Sequence, residues 1–341
     1  MGTVVDTSDE SIDTDSGRDG RGWGDGGSGE GGSGEGGGQR GSGDGDSGEA
    51  GSLDLYTDDS CNLPREWLAT HRVGLLPLSV TLDGRDYPSE QRDDPAGFYA
   101  AIRQGARPST SAIPKGQIEE AFGKSLERGR DILYIGLPAK LSSNFTQVQD
   151  IAGQIAAGCT QQVCCMDARV ATMGQGLLVK EAVRLRDAGE SLEAMRTALE
   201  NLSDHVRILF MLDDPQFLKV GGRGEEALEW VARFISKLSV KPLLTINRQC
   251  AIKFHSAYRS RKRALNQMME YLRSMIDHAH DQVVYVLHAD IPRLAEIMVD
   301  AVQETLGIGQ QIAVAEVSPV IGAHVGPGTV ALVFVSTEAR N

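Results

Sequence analysis

Short apolar runs alternate with longer amphipathic stretches along residues 53–335, and this alternation predicts the fold. The apolar runs have the length and the sharp ends that are typical of buried strands, whereas the stretches between them repeat hydrophobic residues at helical spacing. The clearest predicted strands cover residues 75–82, 132–135 and 205–212. Strands that alternate with helices in this way predict an α/β protein with mainly parallel sheets flanked by helices.

The first 52 residues differ from the rest of the chain in composition. They contain 19 of the 40 glycines, with serine and acidic residues between them, and include the repeat GGSGEGGSGEGGG. A segment with so little apolar surface does not offset the entropy lost on ordering, so we predict that residues 1–52 are a disordered tail. The remaining length suits two domains, and a break near residues 158–163 places them at residues 53–162 and 163–341.

Charge and cysteine content exclude several classes of function. The tail carries 12 acidic residues against three arginines, so nine of the 13 net negative charges lie outside the predicted domains, and no basic nucleic-acid footprint is seen. The five cysteines show no metal-ligand spacing and are predicted to be buried free thiols in a reducing cytoplasm. The sequence shows no signal peptide and no apolar run of membrane-spanning length, so we expect a cytoplasmic protein without stable membrane insertion.

Two polar segments precede predicted helices. Thr110 and Ser111 come just before a helix that is predicted to begin near residue 114. The second segment stands at the start of the following helix and comprises Ser142, Ser143 and Asn144. Helix N-termini present free N–H groups and a partial positive charge, so these hydroxyl and amide groups suit an anionic ligand such as a carboxylate. Serine, threonine and asparagine are also favoured helix N-caps, and a purely structural role is the alternative.

The stretch IGAHVGPGTVALVFV, residues 321–335, carries the remaining candidate chemistry. It predicts a strand end, a glycine-rich turn that holds His324, and a buried apolar strand. A lone imidazole is thereby held on a constrained loop, with an incidental histidine in a turn as the alternative. A glycine pair also precedes Arg223, but no lysine and hydroxyl residue follow it as a phosphate-binding loop would require.

The order of these segments resembles the DegV family, bacterial fatty-acid-binding proteins that serve as lipid-carrying subunits of fatty-acid kinase. The segment LDLYTDDSCNLP resembles the family's opening strand and turn, and residues 141–145 resemble its Leu-Ser-Gly-Thr-Tyr turn. Residues 221–223 match its Gly-Gly-Arg element, and residues 321–335 resemble its C-terminal histidine signature. The chain departs from the family pattern at Val325, which replaces a threonine, and at Ser143 and Asn144, which replace a glycine and a threonine.

The resemblance implies a two-domain fold and a binding function. One long-chain fatty acid would lie with its tail in an apolar tunnel through the N-terminal domain. Its carboxylate would be presented to a separate ATP-dependent kinase subunit that forms an acyl phosphate. The fatty acid would be the ligand, with no cofactor, no metal and no catalytic residue in this chain. The implied fatty-acid-binding residues are Thr110, Ser111, Ser142, Ser143, Asn144, His324, Val325 and Gly326, with Arg223 near the head group or the docked kinase.

Two alternatives to a carrier stay open. His324 would act covalently, as nucleophile or phosphoryl acceptor, if the chain were an enzyme like the sugar-phosphotransferase components and dihydroxyacetone kinase, which share the implied fold type. A regulator that binds lipid as a signal would use the same residues as a carrier. We find no orienting carboxylate beside His324 and no metal-ligating cluster in the sequence, which favours a binding protein over an enzyme.

Overall fold

The computed structural model describes residues 4–6, 53–220, 240–276, 279–307 and 309–340, and it confirms an α/β fold. These residues form fourteen strands and ten α-helices. The strands are β1 (Val4–Asp6), β2 (Leu53–Asp58), β3 (Val73–Leu76), β4 (Ser79–Leu82), β5 (Arg85–Asp86), β6 (Pro108–Ser111), β7 (Asp131–Gly136), β8 (Val163–Asp167), β9 (Val206–Met211), β10 (Lys241–Ile246), β11 (Ile252–Tyr258), β12 (Val283–His288), β13 (Gln311–Glu316) and β14 (Val330–Val335). The helices are α1 (Arg65–Thr70), α2 (Ala96–Arg103), α3 (Lys115–Glu127), α4 (Asn144–Ala156), α5 (Met173–Asp187), α6 (Leu192–His205), α7 (Gln216–Val220), α8 (Arg261–Met275), α9 (Pro292–Leu306) and α10 (Pro319–Val325).

A four-stranded parallel sheet in the order β3-β2-β7-β8 forms the centre of the N-terminal half. Its inner strand β7 has the continuous apolar sequence that is typical of parallel sheets covered on both faces, and α3, α4 and α5 contact the sheet. Because β8 pairs with β7, this sheet extends to Asp167, five residues beyond the last residue of the predicted N-terminal domain. The turn at Gly158 follows the end of α4, and β8 comes after it in the same sheet.

The predicted strand over residues 75–82 is divided at Pro77. β3 ends at Leu76 in the four-stranded sheet, whereas β4 begins at Ser79 in a separate antiparallel sheet of order β5-β4-β6. Proline has no N–H to donate to a ladder, so the chain leaves one sheet there and enters the other. The small sheet includes β6, which contacts the C-terminal half of the chain through Thr110.

The C-terminal half contains a mixed seven-stranded sheet of order β1-β13-β12-β14-β9-β10-β11. β12 and β13 run parallel, whereas β12, β14, β9, β10 and β11 pair antiparallel in succession. The parallel arrangement expected from the sequence thus describes the four-stranded sheet. In the seven-stranded sheet, hereafter the larger sheet, short connections such as residues 247–251 join neighbouring antiparallel strands. α8 and α9 cover one face of the larger sheet, and the other face packs towards α5 and the N-terminal half.

Three residues of the predicted tail are described. Val4–Asp6 form β1, which pairs in parallel with β13, so this short part of the predicted disordered tail is a strand. Val4 and Val5 are adjacent β-branched residues, which favour an extended strand even in a polar segment. The rest of residues 1–52 lies outside the described residues.

All five cysteines are free thiols, as predicted, but they differ in burial. Cys61 and Cys250 are buried, Cys164 and Cys165 are partly buried, and Cys159 is exposed, which corrects the prediction for that residue. Burial raises the pKa of the Cys61 thiol to about 12 and that of the Cys165 thiol to about 12 as well. Both thiols therefore stay protonated at neutral pH and are poor nucleophiles.

Candidate functional site

His324 lies in the last turn of a short helix, which corrects the predicted strand end and glycine-rich turn. This helix, α10, has Ser318 at its N-cap and Pro319 at its first helical position. Proline fixes a helical φ and lacks an N–H that would be unpaired there, so a serine followed by a proline favours a helix start. The helix ends at Val325, its C-cap Gly326 has a φ of +73°, and the apolar strand that the sequence predicts next is β14.

Two glycines let α10 pack closely against its neighbours. A Cβ at Gly322 would overlap Tyr99 of α2, and a Cβ at Gly326 would overlap Phe217 of α7. Tyr99 Oη donates a 2.7 Å hydrogen bond to the carbonyl of Val317, which lies just before the helix. The helix that carries His324 is therefore fixed between α2 and α7.

Thr110 and His324 meet across the two halves of the chain. Thr110 Oγ1 lies 2.8 Å from His324 Nε2. Thr110 pairs with Val80 in the middle of the small sheet, and successive side chains of a strand point to opposite faces. Ser109 and Ser111 are accordingly exposed, so Thr110 faces the histidine while its neighbours face away.

The helix after β6 begins close to its predicted position but is not capped by the predicted hydroxyls. α3 starts at Lys115, with Pro114 at the N-cap position and no side-chain cap. Thr110 and Ser111 belong to a strand instead, so the N-cap alternative is wrong for both residues.

The second polar segment stands at the start of α4, as predicted. Asn144 is fully buried, and its Oδ1 accepts a 3.0 Å hydrogen bond from the N–H of Ile113 while its Nδ2 donates to Tyr134 Oη at 3.3 Å. Ser142 Oγ is buried and accepts the N–H of Asn144, whereas Ser143 is exposed. Asn144 and Ser142 therefore fix the loop between β7 and α4 in place.

A buried carboxylate outside the predicted site supports the same loop. Asp58, at the end of β2, accepts hydrogen bonds from Tyr134 Oη at 2.8 Å and from the N–H of Leu137 at 3.0 Å. Its other oxygen accepts the N–H of Ser60 and lies 3.2 Å from Gln175 Nε2. Burial raises the pKa of Tyr134 well above its ordinary value, so the phenol remains a donor. The position of Asp58 at the carboxyl end of a parallel strand is the sequence signal that points to it.

An apolar cavity, part of it open to solvent, adjoins His324. Two lining residues, Leu137 and Leu141, precede residue 163, and most of the others belong to the larger sheet and α10. This cavity therefore does not run through the N-terminal domain, where the family resemblance implies the acyl tunnel. The residues that line it from the sheet are Ile208, Phe210, Ile246, Ile252, Leu287 and Ala331.

The alternation of side chains in the larger sheet decides which residues face the cavity. Ala331 of β14 pairs directly with Phe210 of β9 on one side and with Leu287 of β12 on the other. Leu332, the next residue of β14, faces the opposite core beneath α8 and α9. Ala331 is thus a small side chain between two large ones, which leaves space above the middle of the sheet.

Three of the predicted fatty-acid-binding residues come together beside this cavity. His324 and Val325 line it, and Thr110 contacts the histidine. The carbonyl of Val325 accepts a 2.8 Å hydrogen bond from Thr329 Oγ1, and Thr329 is a lining residue that sequence reasoning misses. Arg223 lies outside the described residues.

Apolar side chains, hydroxyls and one imidazole make up this candidate site. Across the described ranges, no group of three or more histidine, cysteine, aspartate or glutamate side chains is placed to hold a metal ion. In the same part of the chain, no helix is both long enough and apolar enough to cross a membrane.

These features define an α/β protein in which an apolar cavity meets a threonine and a histidine. The chain belongs to the DegV family, because the family model, described as an uncharacterised protein of the DegV family, matches residues 52–337. A DegV domain-containing protein of Lactococcus lactis is 27% identical over 294 residues, covering 85% of this chain and 99% of the relative. Another from Listeria innocua is 28% identical over 280 residues, covering 82% of this chain and 96% of the relative. The solved structure of a fatty-acid-binding DegV family protein from Thermus thermophilus is 26% identical, with a TM-score of 0.71 and coverage of 84% of this chain and 99% of that one.

Proposed function

We propose that the protein binds one long-chain fatty acid, with the acyl tail in the apolar cavity and the carboxylate beside Thr110 and His324. The observation that carries this proposal is the position of that polar pair at the edge of a cavity lined mainly by apolar side chains. The Thermus thermophilus relative binds a fatty acid on a similar fold, which supports the same class of ligand here.

The pair of Thr110 and His324 suits a carboxylate. A threonine hydroxyl and an imidazole N–H are both hydrogen-bond donors, and a carboxylate would replace the bond that these two side chains make to each other. Each such bond contributes about 1.5–3 kcal/mol when the acceptor is charged. The apolar surroundings lower the local dielectric, which strengthens these bonds relative to the same bonds in water. Two donors at one end of the cavity would therefore fix the orientation of the ligand.

The size of the cavity suits a long acyl chain. Its sheet face extends from Leu287 on β12 across β14, β9 and β10 to Ile252 on β11, which is four interstrand spacings of about 4.8 Å, or about 19 Å. Carbon–carbon bonds of about 1.5 Å in a zigzag advance about 1.3 Å each, so about 14 methylenes span that distance. Each buried methylene contributes about 0.8 kcal/mol, so the tail would supply most of the affinity.

The other predicted residues keep supporting roles in this proposal. Gly326 ends α10 and so fixes the position of the histidine, while Ser142 and Asn144 hold the loop that precedes α4. Ser111 and Ser143 are exposed, and we assign them to the outer surface around the head group, where a partner protein would reach them.

We further propose that the bound carboxylate is presented to a separate ATP-dependent fatty-acid kinase in the cytoplasm, which forms the acyl phosphate. Thr110 and His324 are half-buried, which supports a head group within reach of a partner. Incubation of the loaded protein with the cognate kinase and ATP should yield acyl phosphate, detected as hydroxamate. No product from a protein that demonstrably carries fatty acid would contradict the kinase role but leave binding intact.

A substitution in the sheet tests where the tail lies. Ala331→Leu fills the middle of the cavity with three additional carbons, and it should weaken binding of palmitic acid to the delipidated protein about tenfold or more in calorimetry. Ala295→Leu is the matched control, because Ala295 is buried on α9 against the opposite face of the sheet. Equal affinities of Ala331→Leu and the wild type would exclude the cavity as the tail site.

A further inference from the structure

Thr172 has an unusual backbone conformation on the wall of the cavity. Its φ is +55° and its ψ is −142°, values at which a β-branched residue is an outlier. The residue is 4% exposed and lines the cavity together with His324. Residues in such conformations persist only where the surrounding structure holds them, and they cluster at ligand sites.

Close packing at the start of α5 holds Thr172 in this conformation. A Cβ at Gly176 would lie 2.7 Å from the carbonyl oxygen of Cys61, and a Cβ at Gly174 would lie 3.1 Å from the side chain of Val170. The N–H of Gly176 donates a 3.0 Å hydrogen bond to the carbonyl of Thr172. The first turn of α5 therefore has no room to shift and relax the residue before it.

The side chain of Thr172 adds a second observation, which points to a ligand. Its Oγ1 is buried and makes no hydrogen bond to any described residue. A threonine at an N-cap position usually accepts an N–H of the first helical turn, but Thr172 does not cap α5 in this way. An unsatisfied buried hydroxyl is costly, so a ligand oxygen that bonds to it from within the cavity would remove that cost.

The start of α5 also favours a negative charge. The helix has 15 residues, and its first turn contains no acidic side chain. The N-terminus of a helix of this length carries a partial positive charge from N–H groups that lack intrahelical partners. An anionic oxygen in this part of the cavity would therefore interact with both the hydroxyl and the helix.

We propose that Thr172 and the N-terminus of α5 bind the fatty-acid carboxylate together with Thr110 and His324. This inference rests on the proposed function, since the anion is the head group of the ligand assigned above. Three separate elements, β6, α5 and α10, then hold the head group, and the strain at Thr172 keeps one of its donors in place before the ligand arrives.

Three substitutions at Thr172 separate the hydroxyl from the backbone strain. Thr172→Val removes the hydroxyl but keeps the shape, and it should weaken palmitic acid binding by about 10- to 100-fold. Thr172→Ser keeps the hydroxyl and should bind as the wild type does. Thr172→Gly removes the hydroxyl and relieves the strain, so it should bind weakly while the melting temperature of the delipidated protein rises by about 2 °C or more.

Binding of hexadecanol distinguishes head-group recognition from a structural role. The alcohol has a tail of the same length without the charge. The ratio of the Kd for hexadecanol to the Kd for palmitic acid should therefore be smaller in Thr172→Val than in the wild type. Wild-type affinity in Thr172→Val, or an equal loss for acid and alcohol, would overturn this inference while leaving the proposed function standing. A wild-type protein that binds no palmitic acid would overturn both.

Discussion

Replacement of Thr110 by valine tests the head-group assignment with a small change in shape. Thr110→Val exchanges a hydroxyl for a methyl on a half-buried residue in the middle of β6, where the backbone pairing with Val80 is kept. The substitution removes the oxygen that lies 2.8 Å from His324 Nε2. It should leave the acyl cavity unchanged, since Thr110 is not among the lining residues.

The size of the effect follows from the kind of hydrogen bond that is removed. A bond to a carboxylate contributes about 1.5–3 kcal/mol, which corresponds to a rise of about 10- to 150-fold in Kd. The ligand-free variant loses only the hydrogen bond between Thr110 and His324, which contributes about 0.5–1.5 kcal/mol. The loss in the free energy of unfolding should therefore be smaller than the loss in the free energy of binding. Each methylene still contributes about 0.8 kcal/mol, so the Kd values of lauric, myristic and palmitic acids should all rise by the same factor.

Calorimetric titration of the delipidated wild type and variant with these three acids measures the effect. Thr81→Val is the matched control, because Thr81 pairs with Ser109 on the neighbouring strand and faces away from the histidine. An unchanged Kd for Thr110→Val would refute the assignment of Thr110 to the head group. A loss that varied with chain length would refute the separation of head-group and tail sites.

Three further substitutions test the framework around the site. Gly326→Ala places a side chain at a φ of +73° against an aromatic ring and should lower the free energy of unfolding by about 1–3 kcal/mol, whereas Gly116→Ala, in open space on α3, should be neutral or slightly stabilising in the same denaturant titration. Asn144→Ala leaves the buried N–H of Ile113 unpaired and removes the donor to Tyr134 Oη, so it should cost about 2–4 kcal/mol, against less than about 0.5 kcal/mol for the exposed Ser143→Ala; equal midpoints would contradict this. Burial lowers the pKa of His288 below 6.5, so the unfolded state takes up its proton first and stability falls as the pH drops below that value. His288→Asn should flatten this fall in melting curves recorded between about pH 7.5 and pH 5, and an unchanged pH profile would show that His288 is not its source.

The alternation of apolar runs predicts the N-terminal sheet well, because parallel strands buried on both faces read as continuous hydrophobic segments. It does not separate β3 from β4, since the run stays apolar across Pro77 and the missing N–H alone marks the change of sheet. α10 is also missed, because its glycines read as a turn. Gly322 is helical nonetheless, and it is a glycine because Tyr99 packs against it.

The site is predictable in part. Thr110 and His324 are separated by 214 residues, so no local pattern brings them together, and the family resemblance is what predicts both. Ala331 and Phe210 read as ordinary core residues, because alternation shows that they share a face of the sheet but not that the face borders a cavity. The sequence analysis does not single out Thr172, because its strain is visible only in the backbone of the folded chain.

Mass spectrometry of the purified full-length protein, first native and then denatured, tests the central claim most directly. The account predicts a native mass that exceeds the chain mass by one fatty acid, loss of that mass on denaturation, and recovery of a long-chain fatty acid by organic extraction. A protein that is empty and also fails to take up added palmitic acid would contradict the account.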